Sequence, residues 1–207
     1  MEKAMLETRS RERVPKPRLY SLSQYLVREE KAQEKHEFYN GIIRKMPGGT
    51  FRHNEIASNT LTSLKAAVRG LPSPYRVLNS DQKIYIEPAN TGVYPDALVI
   101  CAEPVFYQGR QDLITNPLVV VEVLSRSTAS YDRQGKFLLY QQLPSFREYV
   151  LIEQTRPEVE TWFREEENLW RKTVVSGLDA QVLLRALGVV LPLGEVYENV
   201  LFPETKK

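Results

Sequence analysis

Two carboxylates stand where apolar residues are expected. The segment Pro117–Leu124 reads Pro-Leu-Val-Val-Val-Glu-Val-Leu, a β-branched run of the kind buried on both faces of a sheet. Period-two alternation puts Glu122 on the face of Val120 and Leu124. A lone ionised carboxylate there costs several kcal/mol unless it has a partner. A buried ion pair or a neutral acid would answer that cost; so would a metal ligand or a catalytic acid with a shifted pKa. The second carboxylate is Asp96, in Tyr94-Pro95-Asp96-Ala97-Leu98-Val99-Ile100. Pro95 suits the first position of a strand. Asp96 is then either a turn residue or an acid leading into a core strand. Two such strands side by side would bring both acids to one end of a sheet, and carboxylates with water are the ligands Mg²⁺ or Mn²⁺ prefer.

Other chemistries are poorly supplied. Two histidines, His36 and His53, and the single Cys101 do not make a Cys/His zinc site. The chain has no Walker loop, dinucleotide-binding glycine pattern or nucleophile elbow.

The elements that must position these acids can be read in order. Tyr20–Gln33 predicts a helix, with Ser21 and Gln24 spaced as a capping box. Asn40-Gly41 between apolar pairs predicts a hairpin. Ile56, Thr60, Leu64 and Ala67/Val68 predict a second helix over 53–69. Short strands follow at Tyr75–Asn79, Lys83–Glu87, Asp96–Cys101 and Pro117–Leu124. A helix over Ser130–Gln142 comes next, then strands Arg147–Glu153, Glu158–Phe163 and Leu169–Val175. The apolar tail Gly188–Phe202 should pack back onto the domain. This order predicts an α/β (α+β) domain, a mixed sheet flanked by helices.

The 207 residues suit one domain. A net charge of +2 is too small to argue for nucleic-acid binding from bulk electrostatics. Residues 1–18 carry Lys3, Arg9, Arg11, Arg13, Lys16 and Arg18, and read as a solvated arm or as a basic arm touching phosphates. Residues 19–202 form the domain and 203–207 a tail. One cysteine, no secretory signal and no apolar run of roughly 20 residues point to a cytoplasmic protein without a membrane span.

Taken together, the motifs resemble the PD-(D/E)XK nuclease superfamily, and within it a bacterial restriction-endonuclease group long carried as a domain of unknown function. The matching residues run from about Leu19 to Phe202. They are Glu37 before a hairpin, His53 opening a helix, Asp81 before a short strand, Asp96 of the Pro-Asp pair, and Glu122–Ser125. Ser127-Thr128, Asp132, Lys136, Tyr140 and Glu148-Tyr149 follow. The resemblance implies a restriction-endonuclease-like fold and a Mg²⁺- or Mn²⁺-dependent endonuclease acting on DNA. It implies Asp96 and Glu122 as metal ligands, with Glu37 as an additional one. One departure stands out: the superfamily's Glu-x-Lys would place a lysine at 124, where this chain has leucine. In the resembling group a lysine on the next helix takes over, which points to Lys136; the plainer reading is a surface pair with Asp132 at i,i+4. His53 is open between a proton carrier, a donor to a ligand and a local cap. Asp81 reads as a turn residue or a partner of Lys83, and Tyr140 as a core aromatic. A homodimer is compatible with this reading. Competing readings are a weak or inactive nuclease-fold protein that binds nucleic acid or protein, and a hydrolase of another phosphoester, because fold does not fix function.

Overall fold

The computed structural model describes residues 18–126 and 128–202. In chain order its elements are α1 (Leu22–Glu29), β1 (His36–Tyr39), β2 (Ile42–Lys45), α2 (Phe51–Ala67), β3 (Tyr75–Asn79), β4 (Lys83–Ile86), β5 (Thr91–Val93), β6 (Ala97–Cys101), β7 (Leu113–Ile114) and β8 (Val119–Leu124). A composite helix, α3, covers residues 129–140, with a π-helical stretch at Asp132–Lys136. Then come β9 (Glu148–Glu153), β10 (Glu158–Glu166), β11 (Leu169–Ser176), β12 (Gln181–Leu184), β13 (Val189–Pro192) and the short α4 (Leu193–Val196).

Strand β8 is the centre of the molecule, and every one of its residues is buried. It lies in a six-stranded mixed sheet of order β11-β10-β9-β8-β6-β3, antiparallel to β6 and parallel to β9. Val119, Val121 and Val123 face a core shared with Ile56 and Leu64 of α2 and with the β12–β13 hairpin. Val120 and Leu124 face the other core, with Phe137, Tyr140 and Tyr149. Burying each such valine or leucine stabilises the fold by roughly 1.5–3 kcal/mol. The continuous apolar run is therefore explained by cover on both faces, as its composition predicts. Glu122 sits among the second set, beneath α3.

A smaller five-stranded sheet, β2-β1-β5-β4-β7, supplies the opposite wall. Its β1–β2 hairpin turns at Asn40 (φ 43°) and Gly41 (φ 95°), with Tyr39 paired to Ile42. Two consecutive positive φ values are what a two-residue type I′ turn needs, and Asn-Gly tolerates them best. Alternation along β1 then turns Phe38 onto Tyr25, their rings stacked 5.1 Å apart. Glu37 is turned the other way.

The helix starts follow their caps. Ser21 accepts the N–H of Gln24, and the Gln24 side chain accepts the N–H of Ser21. That helix stops at Glu29 rather than Gln33. Helix α2 begins two residues before its expected start, because Thr50 caps it through the N–H of His53. The C-terminal tail packs back as expected: Val189, Leu191, Leu193, Val196 and Tyr197 join the first core. Strands β5, β7, β12 and β13 are additions to the strands expected from the sequence. They are short and depend on their neighbours for cover. Among the described residues no helix is long and apolar enough to cross a membrane. The basic N-terminal arm lies outside the described residues, except Arg18, whose guanidinium covers the Tyr20 ring.

Candidate active site

The register of β6 against β8 decides where the two acids go. Ala97 pairs with Val121, so one further step sets Asp96 opposite Glu122. Residues directly opposite in an antiparallel pair share a face. Asp96 does not continue the ladder. Its Oδ2 accepts the N–H of Val123 at 2.7 Å, and its Oδ1 lies 3.0 Å from His53 Nε2. Asp96 thus joins the start of β6, the end of β8 and the first turn of α2. Burial pushes the His53 pKa down, but the hydrogen bond and charge of Asp96 prevail and hold it above the usual value. His53 Nδ1 is buried without a hydrogen-bond partner.

Lys136 lies at the centre of the site. Its ammonium is 3.1 Å from Glu122 Oε1, 3.3 Å from Glu37 Oε1 and 3.6 Å from Asp132 Oδ1, and the residue is 7% exposed. Burial opposes the charge, yet the three carboxylates hold its pKa well above the ordinary lysine value. Glu122 Oε1 also accepts the hydroxyl of Tyr140 at 3.0 Å. Burial raises the Glu122 pKa well above the usual range; Lys136 counters it, while Asp132, Asp96 and Glu37 add to it. Glu37 accepts the Tyr39 hydroxyl at 2.5 Å through Oε2. Asp132 is raised mainly by its burial.

These groups line one cleft of about 430 Å³. Glu37, His53, Asp96, Glu122 and Lys136, the five residues expected from the sequence, all reach it. The plain alternative for Lys136 is corrected in its location. Its i,i+4 pair with Asp132 exists, but it is buried, so the weak surface interaction does not describe it. Asp132 lines the cleft as well. Asp132, Lys136 and Tyr140 recur every four residues on one helix face, and that spacing was the available signal. Gln154, also in the cleft, accepts the Thr50 hydroxyl, and nothing in the sequence around it marked it out. Asp81 is elsewhere: it is exposed and pairs with Lys35 at 2.6 Å, while Lys83 pairs with Asp112. Tyr140 is both fully buried and bonded to the site.

Among the described residues no three His, Cys, Asp or Glu side chains form a ready-made ion cage. The cleft instead holds unbalanced charge. Four carboxylates (Glu37, Asp96, Glu122 and Asp132) face one buried ammonium, with His53 beside Asp96 and the exposed Arg126 at the rim.

The profile of the Uma2 family, described as "Putative restriction endonuclease", matches residues 22–194. The chain belongs to the Uma2 family. Two relatives from Synechocystis are similar over most of their length. The uncharacterized protein sll1609 is 33% identical over 165 residues, 80% of this chain and 92% of its own. The uncharacterized protein slr1290 is 34% identical over 188 residues, 91% and 96% respectively. A crystal structure from Anabaena variabilis, described as "a putative nuclease belonging to DUF820", superposes with a TM-score of 0.70. It covers 88% of this chain and 99% of its own at 15% identity, so the Uma2 chain shares that fold. The expected fold class, a mixed sheet flanked by helices in a nuclease-type arrangement, is thereby found.

Proposed function

We propose that this Uma2 protein is a divalent-metal-dependent endonuclease that hydrolyses phosphodiester bonds of DNA. One observation carries the reading: a single buried ammonium, Lys136, is held among three carboxylates at the end of the strand pair that presents Asp96 and Glu122. Such a set is costly for folding alone. Buried ionic clusters are seldom better than apolar packing of the same volume.

The residues fit a hard cation. Oxygen donors suit Mg²⁺ or Mn²⁺, and Glu122, whose pKa is raised first by burial and then by Asp132, Asp96 and Glu37 against Lys136, stands among several other carboxylates. Asp96 and Glu122 would hold the ion, with Glu37 as an additional ligand. When bound, it would supply Lewis-acid polarisation of a phosphate oxygen and a more acidic water. The chain's own residues supply the rest. Lys136 remains protonated and donates to the attacking water or to the phosphoryl oxygen on which charge accumulates. Glu37 and Asp132 hold that ammonium in place. Tyr140 fixes the Glu122 carboxylate by donating to Oε1. His53 fixes Asp96 from the α2 side, and the Val123 N–H fixes it from β8. Hydrolysis breaks one P–O ester bond, leaving a phosphomonoester on one fragment and a hydroxyl on the other.

The test is cleavage of supercoiled plasmid by purified protein in Mg²⁺, Mn²⁺ or EDTA, with Glu122→Gln as the control. Nicking or linearisation in the metal buffers is expected, with none in EDTA and none by the variant, which should fold normally. The absence of cleavage in any metal buffer, or equal cleavage by Glu122→Gln, would overturn the proposal.

A further inference from the structure

Among the described residues only two aromatic side chains are exposed, Tyr131 in the lining of the acidic cleft and Phe51 in the lining of the hollow beside it. Phe51, the first residue of α2, is 84% exposed. It follows Thr50, which lines the cleft, and it borders a second hollow of about 530 Å³ that shares Thr50 and Gln154 with the first. Tyr131, on the α3 wall, lines the cleft itself. Its ring meets Tyr39 edge-on at 5.9 Å. A methyl group on Gly135 would collide with that ring, so the glycine leaves the space in which Tyr131 lies. Arg126, exposed on the same rim, adds a cation.

An exposed phenylalanine forgoes the stabilisation that burial gives its ring. Nothing in the packing of α2 calls for one at this position: the core face of that helix is Ile56, Thr60, Ser63 and Leu64. The ring does have a use beside a cleft that hydrolyses nucleic acid. A base in a duplex already has neighbours on both faces. An unpaired base has a free face, and aromatic side chains bind it with little regard to sequence.

We propose that Phe51 and Tyr131 are stacking platforms for an unpaired nucleic-acid strand whose backbone crosses the cleft, with Arg126 meeting a phosphate. The proposal rests on the nuclease reading and narrows its substrate to single-stranded or locally opened DNA. Tyr131 in the cleft and Phe51 in the adjoining hollow would each take a base of the strand whose phosphate reaches Lys136. Stacking of ordinary strength changes affinity by roughly five- to 100-fold per base.

The experiment measures binding separately from cleavage. A short fluorescein-labelled single-stranded oligodeoxynucleotide, and its duplex, are titrated by anisotropy in EDTA and in Ca²⁺, with gels to confirm that the probe stays intact. A second probe carries 2-aminopurine, whose emission falls when it stacks. Wild type should bind the single strand more tightly than the duplex and quench 2-aminopurine. Phe51→Ala and Tyr131→Ala should each weaken single-strand binding by roughly tenfold, leave duplex binding unchanged and relieve the quenching. Phe51→Trp should restore both. Phe51 is exposed, so its variant tests the idea even if Tyr131→Ala folds poorly. Unchanged single-strand binding in Phe51→Ala, equal losses for single strand and duplex, or a wild-type preference for duplex would each overturn the proposal. Plasmid cleavage without single-strand preference removes the platforms and keeps the nuclease. Single-strand binding with quenching but no cleavage does the reverse.

Discussion

Asp96 accepts the backbone N–H of Val123, the residue directly after Glu122, at 2.7 Å. One acid is therefore anchored to the peptide that follows the other, and the two are positioned together. The anchor has a measurable consequence. Asp96→Ala leaves the Val123 N–H without that acceptor, which costs about 1–3 kcal/mol for a buried donor. Asp96→Asn keeps an oxygen there and should stay within about 1 kcal/mol of wild type. Both should lose cleavage. Urea unfolding reads the stability difference, and hydrogen exchange at Val123 should speed up only in the alanine variant. Equal stabilities would mean that the bond is incidental.

Lys136 and Asp132 should separate by function. Lys136→Ala removes the ammonium that, alone among the described residues, faces Glu37, Glu122 and Asp132, and should destabilise the fold by about 3–5 kcal/mol, as breaking buried pairs does. At saturating metal its turnover should fall by ~10²-fold or more, the scale of one lost transition-state donor. Asp132→Ala leaves Lys136 with Glu122 and Glu37 and should cost activity far less. Cleavage rates of the two variants decide the matter. Near-wild-type rates in both would remove Lys136 from the chemistry.

Glu148 lies away from these contacts and gives a pH signature. It is fully buried at the start of β9, where burial raises its pKa to about 7 even though the N–H groups of Arg185 and Ala186 donate to it. The folded chain thus binds this proton more tightly than the unfolded chain. The associated stability is complete below the ordinary glutamate value and is lost as pH rises through about 7. At about 1.4 kcal/mol per pH unit, the loss is on the order of 3 kcal/mol. Glu148→Gln cannot titrate. The unfolding free energy of wild type minus that of this variant should therefore fall between about pH 5 and 7, whatever constant offset the amide introduces. A difference that stays flat with pH would show that Glu148 titrates normally.

Local rules made much of this protein legible in its sequence. The unbroken apolar run of β8 required cover on both faces, so Glu122 stood out as a carboxylate needing a partner. Asn40-Gly41 specified its own turn, and Ser21 with Gln24 specified a helix start, because those hydrogen bonds close within a few residues. The partners themselves were decided by the tertiary structure. The register Ala97–Val121 turns two separate acids toward one end of the sheet. The α3 helix, with its π-helical stretch, lays Asp132, Lys136 and Tyr140 over Glu122. Thr50 reaches across 104 positions to Gln154, and His53 across 43 to Asp96. Spacing along a chain specifies which face a side chain takes within its own element. Which faces meet depends on strand order and on how the elements pack, and there the roles of Asp132 and Gln154 went beyond their appearance in sequence.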